Sequence, residues 1–198
     1  MSQSLRWAMT TGILLALWLV WNDAGNLALE QRRYADAAVA FQQAIAASDG
    51  ATEPEAAMLW RNLSVAYSGE GMYRKAEDAA SRSVRMLEVR FGPADPSLVP
   101  SLNALGESLA AEGRWMEARR VFERAVKLNL GGPHGATALH NLAAVSQMDG
   151  RLDKAVLLYQ AALDQRRQIF GDTHALTLTT QRALEQISTL RQTSVAQK

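Results

Sequence analysis

The chain has 198 residues, 48% of them apolar and 21% charged, enough for an ordinary core and too apolar for wholesale disorder. Its 21 Lys and Arg against 20 Asp and Glu leave a formal charge of +1, so the total provides no long-range attraction to nucleic acid. Cysteine is absent, which removes disulfides, thiolate catalysis and cysteine metal sites while leaving the compartment open.

The first element is an uncharged run from Trp7 to Val20 behind Arg6. Its length suits the apolar core of a signal peptide better than the roughly 20 residues of a full membrane span. Trp7, Trp18 and Trp21 bracket it, as aromatic residues do at membrane interfaces. A helix over this run would reach only about 21 Å at 1.5 Å per residue, so spanning needs local thinning or snorkelling by Arg6. The best cleavage candidate, Asn-Asp-Ala ending at Ala24, places Asn22 where a small residue belongs. Three readings stay open: an uncleaved N-terminal anchor, which is favoured; a cleaved export signal; and a soluble helix over residues 7–31 packed as a cap. A helix apolar on every side makes a poor cap.

Next comes YADAAVAFQQAI, with Tyr34, Ala37, Phe41 and Ala44 at helical spacing. The same pattern returns in GMYRKAEDAASRSV (Tyr73, Ala76, Ala80, Ser83), GRWMEARRVFERAV (Trp115, Ala118, Phe122, Ala125) and GRLDKAVLLYQAAL (Leu152, Ala155, Tyr159, Ala162). Beginning sixteen residues before each alanine runs a second helical pattern: Trp21, Ala24, Gly25, Ala28; Trp60, Leu63, Ser64, Tyr67; Leu102, Leu105, Gly106, Leu109; Leu139, Leu142, Ala143, Ser146. Each unit thus reads as two antiparallel helices joined by a glycine turn, with small side chains admitting the neighbouring helix. Start signals accompany them: a capping box at Thr52 and Glu55, an N-cap at Asp95 before Pro96, and a cap at Asp172-Thr173.

These residues resemble the tetratricopeptide repeat, in the longer form of kinesin-light-chain-type repeats; RFGPADPSLVPSLNALGESL and the later IFGDTHALTLTT carry the likeness most closely. The resemblance covers roughly residues 18–190 and implies an all-α, right-handed α-solenoid of about four helix hairpins. The expected division is an apolar segment at 1–21 running into the first helix, repeats at 18–50, 54–90, 96–130 and 134–170 within a 22–190 solenoid, a capping helix at 173–190 and a flexible tail at 191–198. Such a likeness is specific about fold and says little about function.

Nothing in the sequence carries the signature of catalysis or of a cofactor: there is no phosphate loop, dinucleotide fingerprint, HExxH or nucleophile elbow, and no two of His134, His140 and His174 have the i, i+4 spacing of a helical metal pair. The expectation is a non-catalytic module without metal or cofactor. In repeats of this type the first helix of each pair lines a concave groove. Its polar positions there are Arg61, Asn62, Asn103, Glu107, His140, Asn141 and Gln147. Asparagine both donates and accepts, so it can hold an extended peptide backbone, and Arg61 adds a contact for a carboxylate. Asn62 and Asn141 match the asparagine that some related repeats use for this; Ala104 interrupts the ladder. The second helices are mildly basic (Arg74, Lys75, Arg82, Arg85; Arg114, Arg119, Arg120, Arg124), which fits a solvated outer wall better than a lipid contact. The expected role is a membrane-anchored or exported adaptor that grips a partner peptide or helix; a self-assembling scaffold and a soluble cytosolic adaptor are the alternatives.

Overall fold

The structure, a computed structural model, describes residues 3–48, 52–128 and 131–196, with side chains at 17–48, 52–128 and 131–192. All regular elements among the described residues are helical: α1 (Gln3–Glu30), α2 (Tyr34–Ala46), α3 (Glu53–Gly69), α4 (Tyr73–Phe91), one 3-10 turn (Pro96–Leu98), α5 (Val99–Ala111), α6 (Trp115–Leu128), α7 (Gly132–Met148), α8 (Leu152–Phe170) and α9 (Ala175–Ala196). The protein is all-α. It divides into two compact units, Met1–Asp95 and Pro96–Lys198. In the first, α1 pairs with α2 and α3 with α4; in the second, α5 pairs with α6, α7 with α8, and α9 packs on α8.

The hairpins close through small residues. Ala37, Ala76, Ala118 and Ala155 are all fully buried, and so are Ala44, Ser83, Ala125 and Ala162 at the next inward slot but one. A large ring needs an empty place opposite it. The ring of Phe41 lies so near Gly25 that a Cβ there would stand 2.6 Å from it, and a Cβ on Gly106 would stand 2.5 Å from Phe122. In the last hairpin Ala143 meets Tyr159 within one core cluster that also holds Ala155 and Ile187 of α9. Where α4 carries Ala80 instead of a ring, the opposite slot is filled by Ser64, and the Ser83 hydroxyl donates to the Ala57 carbonyl at 2.6 Å. Ser146, the one polar residue at a large-residue position, is buried and donates to the Leu142 carbonyl in its own helix at 2.7 Å.

Each hairpin turn is the same hydrogen-bonded C-terminal motif. Gly71, Gly113 and Gly150 take φ near +75° (76°, 77° and 73°), and the following amides of Met72, Arg114 and Arg151 return to Tyr67, Leu109 and Ser146. In the first hairpin that left-handed place is held by Arg32 at φ 57°, a non-glycine residue in a conformation that side chains resist.

Three expectations are corrected. Gly25 and Ala28 face inward from α1 as expected, but Trp18 (4% exposed) and Asn22 join them in place of Trp21 (38%) and Ala24, because the helix turns a stripe of 18, 22, 25 and 28 toward α2 and α3. At α9 the cap is His174, whose Nδ1 accepts the Leu176 amide at 3.2 Å, while Asp172 pairs with Arg167. Helix α9 also continues past Leu190 to Ala196, and Arg191 near its end pairs with Asp153 on the surface at 2.6 Å. The Thr52–Glu55 capping box is present, with Glu55 Oε2 accepting the Thr52 amide at 2.7 Å, and Pro96 opens the 3-10 turn that leads into α5.

The side chains of most of the apolar run, Trp7 to Ala16, lie outside the described residues. Among the described residues no helix is long and apolar enough to cross a membrane. Leu17, Leu19, Val20, Trp21 and Leu27 are exposed on α1.

Gly106→Ala is expected to lower unfolding stability by about 1–3 kcal/mol in urea titration, since the added methyl collides with Phe122 in a packed core. Phe122→Leu on the same background should recover part of the loss; a neutral Gly106→Ala would show that the ring is not seated there.

Candidate functional site

In the second unit α5 and α7 lie beside each other with α6 against both. Asn141 of α7 reaches back to α5, its Nδ2 donating to Glu107 Oε1 at 2.7 Å. Behind this pair opens a pocket of about 350 Å³ lined by Ala110, Trp115, Phe122, Ala144, Val145 and Met148, with Gln147 completing the polar edge. The C-terminal turns of α5 and α7 supply its walls, and Phe122, already seated on Gly106, forms part of the floor.

Glu107 stands at the mouth of the pocket and keeps the surface area of an exposed residue. The neighbouring walls of the pocket desolvate its carboxyl enough to raise its pKa above the ordinary carboxylate value, partly offset by the Asn141 hydrogen bond. Glu107, Asn141 and Gln147 are therefore brought together. The other sequence candidates are not part of this pocket.

In the first unit Asn62 makes the bond equivalent to that of Asn141: its Nδ2 donates to Asn26 Oδ1 at 3.3 Å, and Arg61 donates to Asn62 Oδ1 at 3.0 Å. Burial lowers the Arg61 pKa. Asn103 is 5% exposed and donates to the His134 carbonyl at 2.9 Å, tying α5 to the start of α7. His140 points toward α8 and α9, edge-on to Tyr159 at 5.2 Å between ring centroids and 3.2 Å from Thr180 Oγ1. Its pKa is pushed down to about 4, by burial first and then by the Arg166 charge. Asn103 and His140 thus serve packing between neighbouring helices.

Arg166 escaped the sequence reading. It continues the inward stripe Ala155, Tyr159, Ala162, Leu163 on α8, where α4 has Leu87, and an arginine on an apolar stripe was the available signal. Only 3% exposed, it donates to the Leu176 carbonyl at 2.9 Å and to Thr180 Oγ1, fastening α9. The basic residues of the second helices are largely engaged within the protein: Arg119 with Asp149 at 2.7 Å, Arg114 with Glu117 at 2.7 Å, and Arg82 over Trp60 at 4.7 Å. Among the described residues no group of three or more His, Asp or Glu is placed to hold a metal ion.

Models of the tetratricopeptide repeat match residues 97–159 and 135–197, and a second such model matches 22–96. The chain belongs to the tetratricopeptide-repeat family. A curated relative, kinesin light chain-related protein 2 of Arabidopsis thaliana, is 30% identical over 118 residues, 54% of this chain and 18% of that protein; the match thus spans less than a fifth of the relative's length. Among solved structures, a putative kinesin light chain of Podosopora anserina with nearly identical TPR-like repeats superposes with a TM-score of 0.69 at 20% identity, covering 89% of each chain. The apo form of RapI gives 0.74 at 15% identity over 89% of this chain and 64% of that one. The Rap conjugation gene regulator of plasmid pLS20, solved with the Phr* peptide, gives 0.73 at 16% over 88% and 48%. At these identities the structures establish the shared fold alone. The tetratricopeptide hairpins of the second unit thus carry a pocket at the α5–α7 contact and a His–Arg–Thr cluster beneath α9.

His140 makes stability pH-dependent. Its folded pKa lies below the unfolded value near 6.5, so the contribution is complete above pH 6.5 and declines as pH falls toward 4. Unfolding titrations should show a loss of about 2 kcal/mol between pH 7 and pH 5 that His140→Gln largely removes; an equal slope in both proteins would assign the acid sensitivity elsewhere.

Proposed function

We propose that this protein is a non-catalytic interaction module, without metal or cofactor, whose second unit holds a peptide segment of a partner protein in the α5–α7 pocket. The observation that supports this is the composition of that pocket: an apolar floor of Trp115, Phe122 and Val145 beneath convergent polar groups from Glu107, Asn141 and Gln147. Concave apolar sites with few, placed polar groups are the usual form of a recognition site. Asn141 keeps its carbonyl oxygen, and Gln147 its whole amide, for the main chain of an extended ligand, the role that the groove positions suggested. A complex of a Rap regulator with a peptide accords with such use of the fold. Of the groove candidates, Asn62 and Asn103 are committed to internal hydrogen bonds, so Asn141 and Gln147 are the discriminating positions. Ala144→Phe fills the pocket. Peptides selected from a random-sequence display library against the whole protein should lose about tenfold or more in affinity for this variant and severalfold for Asn141→Ala with Gln147→Ala, with helicity unchanged. Selected peptides that bind Ala144→Phe as well as the unaltered protein would exclude the pocket.

A second reading concerns location. The exposed apolar side chains of α1, Leu17, Leu19, Val20, Trp21 and Leu27, support the association of this helix with a lipid interface, without a span among the described residues. The protein should co-sediment with liposomes of mixed neutral and anionic lipid, and Leu19→Glu with Val20→Glu should abolish this. Retention in the supernatant before any substitution would reject the lipid reading and favour a cytosolic adaptor or a self-assembling scaffold.

A further inference from the structure

The charge state of the α5–α7 pocket specifies more than a generic peptide. Glu107 is the one charged residue among the described residues lining it; the rest are apolar apart from the amides of Asn141 and Gln147. Of its two carboxylate oxygens, Oε1 accepts the Asn141 amide and Oε2 has no donor among the described residues. This contrasts with the other acids of the unit. Glu112 and Glu117 meet Arg114, Glu123 meets Lys154, Asp149 meets Arg119, Asp153 meets Arg191 and Asp172 meets Arg167. Asp164 and Glu185 accept amides on exposed helix surface, where water solvates what the protein does not. Glu107 differs in lining a pocket while meeting no cation among the described residues, so a positive charge seated there would find a carboxylate oxygen not yet shared with the protein.

The surroundings fit one kind of positive charge. Val145, Ala144 and Met148 offer an apolar wall for an aliphatic stem, and Trp115 adds an aromatic ring to the same pocket. A small cation would leave that apolar wall uncovered, and an apolar side chain would leave the carboxylate unpaired. We propose that the pocket takes a lysine or arginine side chain from an extended segment of a partner protein, its head on Glu107 and its stem along Val145 and Met148. This rests on the reading of the second unit as a peptide site and names the residue that the site selects.

The test separates the two. Peptides are selected from a random-sequence display library against the intact protein and against Glu107→Gln, which preserves shape and the hydrogen bond from Asn141. With the unaltered protein the selected sequences should share a Lys or Arg at one position, and replacing it with Met should weaken binding about 10- to 30-fold. Glu107→Gln should weaken the same peptides by a similar factor. The Met peptide should then bind the Glu107→Gln variant no worse than it binds the unaltered protein. Raised salt should weaken the basic peptide and leave the Met peptide nearly unaffected. Peptides that are lost with Ala144→Phe but show no basic preference and no response to Glu107→Gln would overturn the charge assignment and leave the pocket a peptide site. Peptides insensitive to Ala144→Phe would overturn both.

Discussion

A phenyl ring laid on a glycine is the contact from which the rest of the architecture follows. At Gly25–Phe41 and again at Gly106–Phe122 the missing Cβ lets two antiparallel helices approach until a large ring fills the gap completely. Such a contact is intolerant of volume in either direction, because closely packed interiors neither collapse nor expand freely around a methyl group. It also fixes the depth of the site. Phe122 presses on Gly106 with one face and contributes to the floor of the α5–α7 pocket with another, so the interlock that closes the hairpin sets the shape of what it receives.

The inward faces were legible because they depend on a period and on side-chain size, both of which are written in the residue order. Ala37, Ala76, Ala118 and Ala155, and the slots at Ala44, Ser83, Ala125 and Ala162, are buried as their spacing requires. Direction across the groove was harder to read. Asn103 and Asn141 sit one helical step apart in the repeat frame; one turns to the His134 carbonyl and is buried, the other turns to Glu107 at the mouth of the pocket. That difference depends on what the neighbouring helix offers at that height, which no property of asparagine announces. His140 shows the same effect: its partners, Tyr159, Arg166 and Thr180, lie 19 to 40 positions further along the chain.

Local signals met a similar limit. The capping box at Thr52 was readable because both partners lie within one turn, whereas the capping of α9 moved from Asp172 to His174 once Arg167 had claimed the aspartate. The turn at Arg32 was hidden for another reason: three glycines mark the left-handed position in the later hairpins, and the first hairpin adopts the same backbone without one. Polar residues on the helices therefore divide into those that hold neighbouring helices together and a smaller group left facing the pocket. The division appears only when the hairpins are set side by side.

Arg32 has a consequence beyond its own turn. The same hairpin buries the Trp18 indole nitrogen and the Asn22 carbonyl oxygen without hydrogen-bond partners among the described residues, so three unfavourable contributions gather in α1 and α2. Within the first unit these costs fall on the α1–α2 hairpin. The exposed leucines and Trp21 of α1 therefore sit on the hairpin that carries these costs, where local opening is expected to be cheapest.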